Sequence, residues 1–107
     1  MIGESIYRPK LIERTRGGLV VRFDVQALPA DDFRPERYQY DSVRVADGAS
    51  RGEMIDAVIG SRYSHADEIA LINNRDIGPE GATKYVDYQK FRAQAKAWVD
   101  EALGEEA

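Results

Sequence analysis

The stretch ADGASRGEMIDAVIG, residues 46–60, decides the fold, because the chain changes its hydrophobic period inside it. Ser50 and Glu53 stand at capping-box spacing: a hydroxyl acceptor is followed three residues later by a side chain that reaches back. Met54, Ile55, Val58 and Ile59 then recur at three- and four-residue intervals, the stripe of a helix with one buried face. Gly60 is a natural stop. The loop at 46–50 is therefore the boundary between a strand-forming half and a helical half.

Upstream of it the period is two. In LVVRFDVQA, residues 19–27, Leu19, Val21, Phe23, Val25 and Ala27 alternate with Val20, Arg22, Asp24 and Gln26, the pattern of a half-buried strand. Gly17-Gly18 before it is expected to form a type I′ turn, since glycine tolerates positive φ at both central positions. The turn pairs this strand with IYRPKLIER, residues 6–14. Pro9 lacks an N–H, so that partner is an edge strand or begins after the proline. With the glycine pair as the loop, Ile12 falls opposite Phe23 and Glu13 opposite Arg22. PADDFRPER, residues 29–37, reads as a loop, with Phe33 packing back onto the domain. YQYDSVRVA, residues 38–46, is a third strand, with Tyr38 and Tyr40 on one face and Val43 and Val45 on the other.

Downstream, Ser64 and Asp67 repeat the capping spacing and open a second helix. Ile69 and Ile72, with Leu71 beside them, are expected to face inward. Asn73-Asn74 and Gly78-Pro79 end it. The last helix is expected from Pro79 or Thr83 to Leu103, with Tyr85, Tyr88, Phe91, Ala95, Trp98, Val99 and Ala102 as its apolar stripe. GEEA, residues 104–107, is expected to fray. Strands followed by helices argue against an alternating nucleotide-binding fold. The expectation is one α+β domain over residues 1–107: a small antiparallel sheet of about three strands packed against two short helices and one long C-terminal helix.

Composition bounds the chemistry. The 107 residues include no cysteine, which excludes disulfides, thiolate metal sites and cysteine nucleophiles. No apolar run approaches a membrane span and no secretory signal is visible; a cytoplasmic setting, or one within a virion or other intracellular assembly, is the expectation. The net charge is −4, so no blanket basic field exists for a phosphate backbone.

Each candidate for chemistry has a structural reading beside it. His65 is the only histidine, so no histidine pair can hold a metal, and it sits at a helix start. Ser50 and Ser64 lie outside any nucleophile motif and read as caps. Asp31, Asp32 and Glu36, like Asp76 and Glu80, lack the spacing of a calcium loop and read as solvated carboxylates. Gly17-Gly18 is followed by no Lys-Ser/Thr and is a turn, not a phosphate loop. No catalytic, cofactor-binding or metal residue emerges. Arg8, Lys10, Arg14, Arg16 and Arg22 gather around the expected hairpin with Tyr7 and Phe23, and such a ribbon can enter a nucleic-acid groove. Tyr88, Phe91, Trp98 and Val99 serve either a core or an interface, since aromatic side chains are favoured in both.

The runs YQYDSVRVADGASRGEMIDAVIGSRYSHADEIALINN, residues 38–74, and YVDYQKFRAQAKAWVDEAL, residues 85–103, resemble small uncharacterised proteins of phages, prophages and gut-bacterial genomes. The features carrying the resemblance are Tyr63, Ser64, Asp67, Asn73 and Asn74, then Tyr85, Tyr88, Phe91, Arg92, Lys96 and Trp98. It implies a mobile-element or virion-associated role and brings no catalytic residue. The resulting expectation is a non-enzymatic structural or protein-interaction protein, with a protein partner or self-association through the C-terminal helix. The alternative is a nucleic-acid-binding or regulatory protein using the arginine-bearing hairpin.

Overall fold

The computed structural model describes residues 2–106. Its elements are β1 (Ile2–Ser5), β2 (Ile12–Thr15), β3 (Gly18–Leu28), β4 (Arg37–Val45), α1 (Arg51–Gly60), α2 (His65–Asn74) and α3 (Gly78–Glu106). The fold is α+β, with four strands in one antiparallel sheet of order β1-β4-β3-β2. The strand absent from the sequence reading is β1. Its four residues, IGES, carry no alternation, and it is held by its pairing with β4, from Ile2 opposite Asp41 to Ser5 opposite Tyr38. β2 begins after Pro9 and lies at an edge, as the missing proline N–H requires. Residues 6–11 cross from one edge of the sheet to the other. They bury Leu11, and Arg8 anchors them to Glu105 of α3 at 2.9 Å.

Both short helices start on capping boxes. The Ser50 hydroxyl accepts from the Glu53 N–H and the Ser64 hydroxyl from the Asp67 N–H, while each carboxylate accepts the cap residue's own N–H. Met54, Ile55, Val58 and Ile59 of α1 and Tyr88, Phe91, Ala95, Val99 and Ala102 of α3 close over Leu11, Ile12, Val21 and Phe23. Trp98 stacks between two rings of this core, 5.2 Å from Phe23 and 5.9 Å from Phe91 between centroids. Arg51 grips Asp100 with two hydrogen bonds of 2.6 and 3.1 Å, tying α1 to α3. The aromatic stripe of α3 is thus mainly core.

Several local expectations are corrected. The β2–β3 loop is Arg16-Gly17, not Gly17-Gly18, so Ile12 lies opposite Val21 and Glu13 opposite Val20. Gly18 belongs to the strand at φ 145°, and a Cβ there would run into the Val45 carbonyl oxygen. Arg22 nevertheless reaches Glu13 diagonally at 2.7 Å. The alternation of β3 breaks at Asp24, whose φ is 53° and where the register with β4 shifts between Phe23 and Gln26. Asp24 and Val25 together oppose Tyr40, the extra residue of a β-bulge. Beyond it Ala27 is exposed rather than inward. α3 begins at Gly78, with Pro79 in its first turn, where a proline N–H would be unpaired anyway. It continues through Glu106, so residues 104–106 are helical rather than frayed; Ala107 lies outside the described residues.

Two further corrections bear on function. Ile69 and Ile72 face outward, at 48% and 45% exposure. Phe33 does not pack back; it is 95% exposed.

Candidate protein interface

α2 has no buried residue. It reaches the rest of the chain through its contact with the first half of α3, where Leu71 and the neighbouring Tyr63 and Tyr85 pack against the core. The Tyr88 hydroxyl donates to Glu68 at 2.6 Å, and the rings of Tyr63 and Tyr88 meet edge to face at 5.1 Å. Burial, with the Glu68 carboxylate beside it, pushes the Tyr88 hydroxyl up to about 12. Gly81 lets the helices close at their tip, since a Cβ there would strike the Asn74 carbonyl oxygen. The pair forms a helical hairpin projecting beyond the sheet. The radius of gyration is 16.1 Å, where a compact chain of this length gives about 13 Å.

The hairpin offers two surfaces. With 3.6 residues per turn, Glu68 and Leu71 point at α3, which puts Ile69 and Ile72 on one flank of α2, away from the Asp67 and Ala70 flank. Antiparallel packing brings Ala82 and Val86 of α3 to the Ile69/Ile72 side, and Val86 is 50% exposed. On the opposite side lies an open groove of about 680 Å³. Tyr63, Ala70, Leu71 and Ile77 provide its apolar lining, and Arg62 and Lys84 stand with Asp67 and Glu80 around it. Asp67 is committed to capping α2; its bonds from the Ser64 N–H and hydroxyl hold its carboxyl below the usual range. Glu80 is matched by Lys84 at 3.1 Å. Arg62 lies 4.9 Å over the Phe91 ring and forms no ion pair among the described residues. The formal charges of the four ionisable lining residues, Arg62 and Lys84 against Asp67 and Glu80, cancel.

Between β3 and β4, the 29–36 loop presents Phe33. Asp31 accepts from the Phe33 and Arg34 N–H groups at 2.8 and 2.7 Å, and its own N–H donates to the Arg34 carbonyl at 2.9 Å. Those two N–H groups hold the Asp31 carboxyl below its ordinary value. The turn is thus locked with the ring outside it. Ile6 and Tyr7 are exposed at the same end of the sheet, where Ser5 pairs with Tyr38 and Leu28 with Arg37.

The remaining sequence candidates fall into ordinary places. Ser50 and Ser64 are caps, and His65 is exposed at the first position of α2. Asp76 is exposed beside Arg75. No group of three metal-ligating side chains occurs among the described residues. The arginines of the β2–β3 region are largely met by carboxylates: Arg14 by Asp47 at 3.5 Å, Arg22 by Glu13, and Arg8 by Glu101 and Glu105. Arg16 and Lys10 have no such partner among the described residues. No helix among the described residues is long and apolar enough to cross a membrane.

The hairpin surfaces escaped sequence reasoning because Ile69 and Ile72 share the spacing of Glu68 and Leu71; either pair makes a plausible inward stripe. Phe33 carried one local signal, an aspartate two residues ahead of it, the spacing of an Asx-turn. No family model matches the chain, and neither a curated protein nor a solved structure matches it.

Proposed function

We propose that this protein is a non-enzymatic structural or interaction component that docks onto protein through the hairpin of α2 and the first half of α3. The carrying observation is that α2 lacks a buried residue and turns two isoleucines to solvent while a groove of mixed apolar and charged lining opens on its other flank. Large apolar side chains left exposed next to one another on one helix flank mark interaction sites. The self-association expected of the C-terminal helix thereby moves from its aromatic stripe, most of which is core, to its N-terminal turns. A docking component fits the mobile-element or virion-associated setting that the resemblance implies.

The test is site-specific photo-cross-linking in cells, with the reactive group at Ala70 or Ile72 and a control at exposed Asp56 of α1. Protein adducts of defined mass at the hairpin and none at Asp56 are expected. Equal labelling at all three positions, or none at the hairpin, overturns the reading.

A further inference from the structure

α1 and α3 pack on one face of the sheet, where Val21 and Phe23 join the core and Val43 and Val45 pack against it. The β-bulge is on β3, so β4 alternates unbroken and turns Tyr38, Tyr40, Ser42 and Arg44 to the opposite face. The ladder brings Arg22 beside Ser42 and Val20 beside Arg44, with Glu13 beyond Val20. None of these residues is buried.

The Tyr40 ring lies over Gly3 of β1, where a Cβ would come within 2.7 Å of it. The Arg22 guanidinium stands 5.4 Å over the same ring. Tyr38 precedes Tyr40 by about 7 Å along the strand. The charge of this face is one-sided. Arg22 is matched by Glu13 at 2.7 Å. Arg44, and Arg16 in the β2–β3 turn, are exposed and form no ion pair among the described residues. Arg44 pairs with Val20, two residues after Gly18 closes that turn, so the two arginines share one end of the face. The nearby carboxylates are directed elsewhere. Asp47 meets Arg14 at 3.5 Å, and Asp24 and Asp41 line a cleft on the helix side with Phe91 and Trp98. A local positive surplus therefore stands in a chain whose net charge is −4.

We propose that this helix-free sheet face binds single-stranded nucleic acid, with bases stacked on Tyr40 and Tyr38 and phosphates held by Arg44 and Arg16. The site is independent of the α2–α3 hairpin. Every base has a π face, so stacking on tyrosine tolerates any sequence, and arginine adds cation–π contact. The phosphate backbone supplies the negative charge that the arginine end of the face lacks. A duplex keeps its base faces inside the stack, so the surface selects single strands. The basic hairpin expected from the sequence thus contributes Arg16 and Arg22, while Arg8 and Arg14 are held by carboxylates.

The experiment follows the fluorescence anisotropy of a labelled oligothymidylate of about 12 nucleotides, a length such surfaces cover, as the full chain is added. Each neutralised phosphate of a single strand contributes a log–log salt slope of about −0.7, so two contacts should lower affinity about 25-fold between about 20 and 200 mM salt. Arg44→Glu should weaken binding about tenfold or more and reduce the slope by about 1. Tyr40→Leu should weaken it about fivefold or more and leave the slope unchanged, because stacking neutralises no phosphate. Lys90→Glu, the same charge change at an exposed position of α3, should leave affinity close to wild type. A wild type that binds no oligomer at low salt overturns the inference. So does binding that Arg44→Glu and Lys90→Glu weaken equally, or that Arg44→Glu and Tyr40→Leu both leave intact. Equal affinity for a duplex of the same length overturns the stacking. Should Tyr40→Leu lower the urea midpoint, Arg44→Glu, at an exposed side chain, decides the matter alone.

Discussion

Tyr88 donates a 2.6 Å hydrogen bond to Glu68, and through it the most buried hydroxyl of α3 holds a helix that buries no residue of its own. Tyr88 is 1% exposed; its ring belongs to the core and its oxygen to α2. The contact couples the stability of the hairpin to the body of the fold.

Replacing Tyr88 with phenylalanine keeps the ring and removes that coupling. A hydrogen bond to a charged acceptor contributes about 1.5–3 kcal/mol, and the half-buried Glu68 recovers part of this by hydration. Hydrogen exchange should quicken across residues 65–74 while α1 and the second half of α3 keep their protection. Uniform quickening over all helices would contradict this arrangement.

The same hydroxyl makes the fold sensitive to alkali. Its pKa is raised from 10.0 to about 12 in the folded chain, so the folded state holds the proton more tightly than the unfolded one. The stabilisation is complete below pH 10 and is lost as pH rises toward 12. Circular dichroism during an alkaline titration should show helix loss over that window, and Tyr88→Phe should diminish the pH-dependent part. An unchanged profile in the variant would place the alkaline transition elsewhere.

Gly18 should not tolerate alanine. The residue combines φ 145° with a Cβ position blocked by the Val45 carbonyl, so Gly18→Ala should cost more than about 1 kcal/mol. Gly17→Ala, where nothing lies within 4 Å of the added carbon, should cost much less. Urea denaturation of the two variants compares them directly, and equal midpoints would argue against the close approach.

Phe91→Ala should be among the most damaging single changes, at about 3–5 kcal/mol. The ring is buried and touches both Tyr63 and Trp98, at 5.6 and 5.9 Å between centroids. Phe33→Ala, by contrast, should leave the chemical-denaturation midpoint of dilute protein within about 0.5 kcal/mol of wild type, because its ring is solvated. A large loss there would show that the turn depends on the ring.

The sequence by itself determined the order of strands and helices, the two capped helix starts and the buried stripe of α3. These are local properties: a hydroxyl three residues before an acceptor, or an apolar side chain every third or fourth position, acts within a turn or two of backbone. Tertiary structure decided the rest. β1 exists because β4 offers it a hydrogen-bonding edge. The β2–β3 register slid by two residues because Gly18 was needed inside the strand, against Val45, rather than in the turn. On α2, two stripes of equal spacing competed, and the pair holding Glu68 and Leu71 faces inward because Tyr88 supplies a hydrogen-bond donor that Ile69 and Ile72 cannot use. That choice turned the isoleucines outward and produced the surface on which the proposed function rests.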